Sequence, residues 1–190
     1  MTIKNGFQQA LPDLVIRRAQ KGDMDAFEQI YRTYADASYS LALRICGEPS
    51  LAQDVMQDAF IKMMNKISHF RFDGAFAGWL RRIVAHETIN RIRANSRVHL
   101  VGEDELLAGQ TSPLFEHRWM EACSDLDKLL TRLSPNARAV LLLHEVEGYN
   151  HKEIADLFGK SESFSKVTLY RAFNALKLLI EKQEKRNAFK

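Results

Sequence analysis

Two cysteines, Cys46 and Cys123, are all that this 190-residue chain contains. They lie far apart and form no C-x-x-C pair, which argues against a disulfide scaffold or a cysteine zinc site and fits a reducing compartment. No apolar run approaches the roughly 18–20 residues that a membrane helix needs. The first residues, MTIKNGFQQALPDL, lack the apolar centre of a signal peptide. A cytoplasmic protein is therefore expected. There is no glycine-rich phosphate loop, and the six histidines are scattered. Asp54 and Asp58 neighbour each other on a helix, but no third ligand accompanies them at a metal-binding spacing. These gaps argue against an enzyme, and no catalytic residue, metal or cofactor is expected. Strand-type alternation is missing as well, so the expected fold class is all-α.

What is present is helical periodicity and an uneven distribution of charge. Hydrophobic residues make up 46% of the chain, enough for real cores. Residues 1–97 carry 14 Lys/Arg and 10 Asp/Glu, residues 98–117 carry four acids and no Lys or Arg, and residues 118–190 carry 13 bases and 10 acids. Two basic blocks flanking an acidic connector point to two nucleic-acid contacts rather than one. The expected domains are 1–97 and 118–190, with 98–117 as a flexible acidic linker and one short turn at 104–108.

The chain is organised around Phe70 to Arg97. It opens as a loop in which Phe70, Phe72 and Phe76 surround the turn dipeptide Asp73-Gly74. A helix follows. At about 100° per residue, Trp79, Leu80, Ile83 and Val84 form a core stripe. Arg82, His86, Ile89 and Arg93 line a second face with Asn90 at its margin. From Arg81 to Arg97 there are five arginines against one acid, Glu87. Arginines neutralise phosphates, and an aromatic loop can hold an unstacked base. The plainer alternative is a solvated helix face over an ordinary aromatic core.

Before this stretch, residues 1–12 suggest a loose arm, and Asp13 is expected to cap a short helix. A longer helix starts at Asp23 or Asp25, and its members Phe27, Ile30, Tyr31, Tyr34, Ala37, Tyr39, Leu41 and Ile45 keep 3–4 spacing. Ser50 with Gln53 has the spacing of a capping box. The helix it opens turns Val55, Met56, Ala59, Phe60, Met63, Met64 and Ile67 inward, the methionines serving as gap-fillers. Asp54, Gln57, Asp58 and Ile61 form an acidic stripe with one apolar edge. Helix-dipole complementarity accounts for Asp54, but Asp58 lies about two turns in, beyond its reach. A docking surface for a basic partner accounts for both.

From Trp119 the helical period resumes through Ala122, Cys123, Leu126, Leu129, Leu130 and Leu133. Ser134-Pro135 is an N-cap with proline at the first helical position. Asn150 with Glu153 is a capping box for a short helix closed by Gly159. Ser161 then caps a final helix through about Lys182, with Leu169, Ala172, Leu176 and Leu179 as its seam. Helix, glycine turn, helix is the helix-turn-helix plan. Its second helix would present Ser163, Lys166, Val167, Tyr170, Arg171 and Asn174 to a major groove. Bundles that bind nothing also use this plan.

Taken together, from about Asp13 to Lys182, the chain resembles an extracytoplasmic-function sigma factor of the sigma-70 family. The resemblance is carried by Gly22-Asp23 with Ala26-Phe27 and Tyr31-Tyr34, by Asp54 through Phe60, by Phe76 with Trp79-Leu80-Arg82-Ile83, and by Glu153-Ile154-Ala155 through Gly159 with Leu169-Arg171-Ala172. It implies a region 2 domain and a region 4 helix-turn-helix. Asp54, Gln57, Asp58, Phe60 and Ile61 would dock on the beta-prime clamp of core RNA polymerase, and the beta flap would be a further contact. Phe70, Arg71, Phe76, Trp79, Arg82, His86, Asn90 and Arg93 would melt and read the promoter −10 element. Ser163, Lys166, Val167, Tyr170, Arg171 and Asn174 would read the −35 duplex. The acidic linker would run through the polymerase cleft. An anti-sigma factor is an implied partner and could hold the protein at a membrane.

The chain departs from the family pattern in places. His86 stands where many members have asparagine, and its donor count changes with protonation, so base preference does not carry over there. Ser165 stands where many have valine, with Phe164 as a substitute apolar contact. Thr168, Phe173 and Ala175 occupy positions that are often basic. The competing reading is a stand-alone helix-turn-helix regulator, which would bind duplex DNA without polymerase.

Overall fold

The computed structural model describes residues 6–98 and 125–188. Eight α-helices and two 3₁₀ turns account for the regular structure among the described residues. They are α1 (Asp13–Gln20), α2 (Met24–Cys46), α3 (Pro49–Lys66), α4 (Phe76–Val98), α5 (Asp125–Leu130), α6 (Pro135–Glu145), α7 (His151–Phe158) and α8 (Glu162–Ala188). The 3₁₀ turns are Gly6–Gln8 and Ile67–His69. The chain forms two compact units, one from residues up to Leu43 and from Glu48 to Arg91, the other from Arg44–Gly47 and from Ile92 onward. The expected linker, its short turn, and the segment from Trp119 to Cys123 lie outside the described residues.

In the first unit, α1 is short but strongly two-sided, with Val15, Ile16 and Ala19 buried and Arg17 and Arg18 outward. No side chain caps it. Pro12 precedes Asp13, and its fixed φ starts the helix instead. Asp23 caps α2, its carboxylate accepting from the backbone N–H of Asp25 and Ala26 at 3.0 and 3.2 Å. Ile30 and Tyr34 are fully buried along α2, whereas Tyr31 is exposed, contrary to the inward position its spacing suggested. Part of the expected loose arm is docked. Phe7 stacks on Tyr34 with ring centroids 6.0 Å apart, and the Tyr34 hydroxyl donates to the Gln9 carbonyl at 2.7 Å.

The capping box expected at Ser50 does not form. Proline already has the φ of a first helical residue, so α3 starts at Pro49 and Ser50 falls inside it. Val55, Met56, Ala59, Phe60 and Met63 are buried as expected, but Met64 is exposed. In the second unit, α8 packs on α5, α6 and α7. The capping box at α7 is complete. Asn150 accepts from the Glu153 N–H, and Glu153 accepts from the Asn150 N–H, both at 2.9 Å. Gly159 ends α7 in the left-handed region, φ 62°, and Ser161 accepts from the Phe164 N–H at 3.3 Å to open α8. Leu133, Leu143 and Ile154 are fully buried in this unit.

Candidate nucleic-acid and polymerase interfaces

Four aromatic rings gather where α3 gives way to α4. Phe70 lies 5.0 Å from Phe72, 5.4 Å from Phe76 and 5.5 Å from Trp79, and Phe76 lies 5.5 Å from Trp79. Phe70 and Phe76 are only 6% and 7% exposed and form the floor of the cluster. Phe72 and Trp79 are half-buried, and Arg71, Asp73 and Gly74 are at the surface. Phe72 is the one non-glycine residue with positive φ (60°) among the described residues. That conformation costs a bulky L-residue about 1–3 kcal/mol and persists only when its surroundings hold it. Two groups on α1 do so. The Arg17 guanidinium sits 4.2 Å from the centroid of the Phe72 ring. The Gln20 amide donates to the carbonyls of Ile67 and Phe70 at 3.0 and 2.8 Å. Sequence reasoning missed both α1 residues, because a contact across some fifty residues leaves no local pattern.

Along α4, Arg82, His86 and Asn90 are exposed, and Arg93 is half-buried. Ile89 corrects the expected second face. It is fully buried and joins Leu80, Val84 and Ala85 in the core, while Ile83 is only half-buried. Two ion pairs tie α3 to α4. Arg91 donates to Asp58 at 2.6 Å, and Lys62 pairs with Glu87. The lone acid of the arginine-rich stretch is therefore matched by a base on α3. His86 is held below the ordinary imidazole range, first by loss of water around its ring and then by repulsion from Lys62, with Glu87 opposing and Lys66 adding to the effect. Near neutral pH it is an uncharged ring with one donor and one acceptor.

On the α3 stripe, Asp54 and Gln57 are exposed and Ile61 is 58% exposed. Asp58 is half-buried in its ion pair. Phe60 is only 6% exposed and packs edge-on against Tyr31 with centroids 5.0 Å apart. Next to the stripe runs a groove lined by Met24, Phe27, Tyr31, Phe60, Met63 and Met64, with Asp25 and Glu28 among its polar residues. Its exposed members Met24, Tyr31 and Met64 extend the apolar edge beyond Ile61.

In the helix-turn-helix, all six candidate residues of α8 are exposed, Tyr170 at 69%. Lys166 pairs with Glu162 at 2.7 Å, which holds the Glu162 carboxyl below its usual range. Ser165 is fully buried, with its hydroxyl hydrogen-bonded to His151 Nδ1 at 3.0 Å. Phe164 supplies the apolar contact, its ring 5.4 Å from that of Phe158. The His151 ring stacks on His144, centroids 4.5 Å apart.

Residues 30–98 match the family described as Sigma-70 region 2, and residues 123–176 match Sigma-70, region 4. The chain belongs to the sigma-70 family, in its extracytoplasmic-function branch. Among its relatives, it is 26% identical over 173 residues to the ECF RNA polymerase sigma factor SigW of Bacillus subtilis, covering 85% of this chain and 92% of that one. It is 25% identical over 169 residues to the ECF RNA polymerase sigma factor SigE of Mycolicibacterium smegmatis, covering 87% of this chain and 65% of that one. In fold it is similar to the sigma factor RpoE of Bartonella quintana, solved with the anti-sigma factor NepR, at TM-score 0.52 and 22% identity over 82% of this chain and 96% of that one. The aromatic loop, α4 and the α3 stripe fall within region 2, and α7 and α8 up to residue 176 within region 4. The family comprises transcription initiation factors that carry no catalysis of their own. Helix α1 and the first residues of α2 precede the region 2 match.

Proposed function

We propose that this sigma factor binds core RNA polymerase and directs it to its own set of promoters. Residues 1–97 dock on the enzyme and melt the −10 element, residues 98–117 connect, and residues 118–190 read the −35 duplex. Asp54, Gln57 and Ile61 face the beta-prime clamp, and Phe60 supports them from beneath. The exposed Arg82, His86 and Asn90, with Arg71 and half-buried Trp79, face the −10 strand above the floor of Phe70 and Phe76, whereas the Arg93 guanidinium donates to the Leu157 carbonyl at 3.3 Å. Ser163, Lys166, Val167, Tyr170, Arg171 and Asn174 face the −35 major groove.

The observation that carries this reading is the pairing, in one chain, of two separate DNA-type surfaces with an acidic and apolar helix face that neither surface uses. A stand-alone regulator needs no such third face. The protein works in the cytoplasm, and an anti-sigma factor that covered the α3 face would silence it.

The test is co-elution with purified bacterial core polymerase on gel filtration. Ile61→Glu is the informative variant, because Ile61 is exposed and its loss leaves the ion pair between Asp58 and Arg91 intact. Wild type should co-elute and Ile61→Glu should not, at unchanged thermal stability. No co-elution of wild type, with tight duplex binding by the free protein, would establish the stand-alone regulator instead.

A further inference from the structure

We propose that the hydrogen bond between His151 and Ser165 sets the register of α8 against α7, which makes His151 a positioning residue for −35 discrimination, competent only while its ring is uncharged. The proposal rests on the reading of α8 as the −35 helix, and names the contact that aims it. Phe164 and Phe158 already hold the two helices together, with ring centroids 5.4 Å apart. Apolar contact is non-directional, so it does not fix how far α8 is turned about its own axis. A hydrogen bond does, because it weakens steeply outside a narrow range of distance and angle. Ser165 is fully buried, and its hydroxyl lies 3.0 Å from His151 Nδ1. It stands immediately before Lys166 and Val167, two of the six exposed candidates. A turn of α8 that broke this bond would strand a buried hydroxyl and move both of them.

The surroundings of His151 favour the neutral ring. It is the first residue of α7, where a helix carries partial positive charge. On α6, the His144 ring stacks on it with centroids 4.5 Å apart, and His144 Nδ1–H donates to Glu145 Oε1 at 2.7 Å. On α8, Lys166 repels a charge on the ring and Glu162 attracts it, but Glu162 already pairs with Lys166 at 2.7 Å. Lys152, next to His151 on α7, draws on Glu162 as well. Loss of water around the ring, then His144 and Lys166, hold its pKa below the ordinary imidazole value, with Glu162 and Glu145 opposing. Protonation in the folded protein therefore sets in below about pH 6.5. It places a positive charge on a ring set between His144 and Lys166, and drives the ring away from the Ser165 hydroxyl.

The experiment uses holoenzyme made from the full chain and core polymerase. A duplex that wild-type holoenzyme selects from a random pool is compared with a copy scrambled in its −35 segment alone. The ratio of the two affinities is followed at constant salt from about pH 7.5 downward, for as long as circular dichroism shows the free protein folded. The duplexes differ only at −35, so titration of polymerase and of His86 cancels in the ratio. Wild type should lose about tenfold of its discrimination as pH falls below about 6.5. Ser165→Ala removes the hydroxyl without adding volume. Its ratio should be about tenfold lower already at neutral pH and should not change with pH. His151→Asn places an uncharged amide atom where Nδ1 lies, so it should keep the wild-type ratio at every pH. A wild-type ratio that stays constant with pH would overturn the proposal. So would a wild-type slope that persists in His151→Asn, or full discrimination by Ser165→Ala at neutral pH. If wild-type holoenzyme favours no −35 sequence at any pH, the −35 reading fails, and this proposal with it.

Discussion

His151 shows how one side chain can link the two helices of the helix-turn-helix. Its ring touches His144 on one side and the buried Ser165 hydroxyl on the other, within reach of Lys166, Glu162 and Glu145. Desolvation first, then His144 and Lys166, push its pKa below the ordinary imidazole value, with Glu162 and Glu145 opposing. The unfolded chain, near 6.5, therefore takes the proton before the folded one does. Stability from this site is complete above about pH 6.5 and is lost as pH falls through the lowered folded pKa. Urea unfolding of the full chain should show a midpoint that drops as pH falls below about 6.5. His151→Gln should flatten part of that slope, and an unchanged slope would show that His151 does not titrate as described. Phe60 makes a second point at this scale. It lies on the acidic α3 stripe in sequence but under it in space, so Phe60→Ala should cost about 3–5 kcal/mol of stability through the cavity it leaves. A denaturant midpoint close to wild type would contradict that.

Among the elements, α3 and α4 are bound by charge as well as by core contacts. Asp58–Arg91 is nearly half exposed on both sides, so water screens it and its coupling should be only about 0.2–1 kcal/mol in a double-mutant cycle on urea stability. A coupling well above that range would show the pair to be more enclosed than its exposure implies. The pairing also means that substituting Asp58 disturbs α4 along with α3. Element boundaries were legible where their causes are local. The capping box of Asn150 and Glu153, the N-cap at Ser134 and the glycine stop at Gly159 each depend on residues within one turn. Ser50 misled because Pro49, immediately before it, starts the helix without a side-chain cap. Tyr31, Met64 and Ile89 misled because periodicity gives a face's direction, not its width, and neighbouring helices decide where the face ends.

At the scale of the whole molecule, the charge blocks translate into salt dependence. In holoenzyme bound to promoter DNA, each phosphate that the protein ceases to neutralise should make the plot of log affinity against log salt shallower by about one. Arg171→Ala should do this at every promoter alike if it meets phosphate, and should relax preference at one base pair, with the slope retained, if it meets guanine. Lys166→Ala should change the slope by less than about one, because Glu162 already pairs with that charge.

Residue order alone determined the helical class, the two-part organisation, the helix-turn-helix and all six exposed residues on α8, since these follow from periodicity and from caps only a few residues long. The loop ahead of α4 was legible as an aromatic cluster on an arginine-rich helix. Tertiary structure decided which of its rings are floor and which is surface. It brought Arg17 and Gln20 of α1 to a loop some fifty residues away, and it paired Asp58 with Arg91. Those outcomes depend on helices meeting at a distance along the chain, and burial is set by the facing surface, which no single helix encodes.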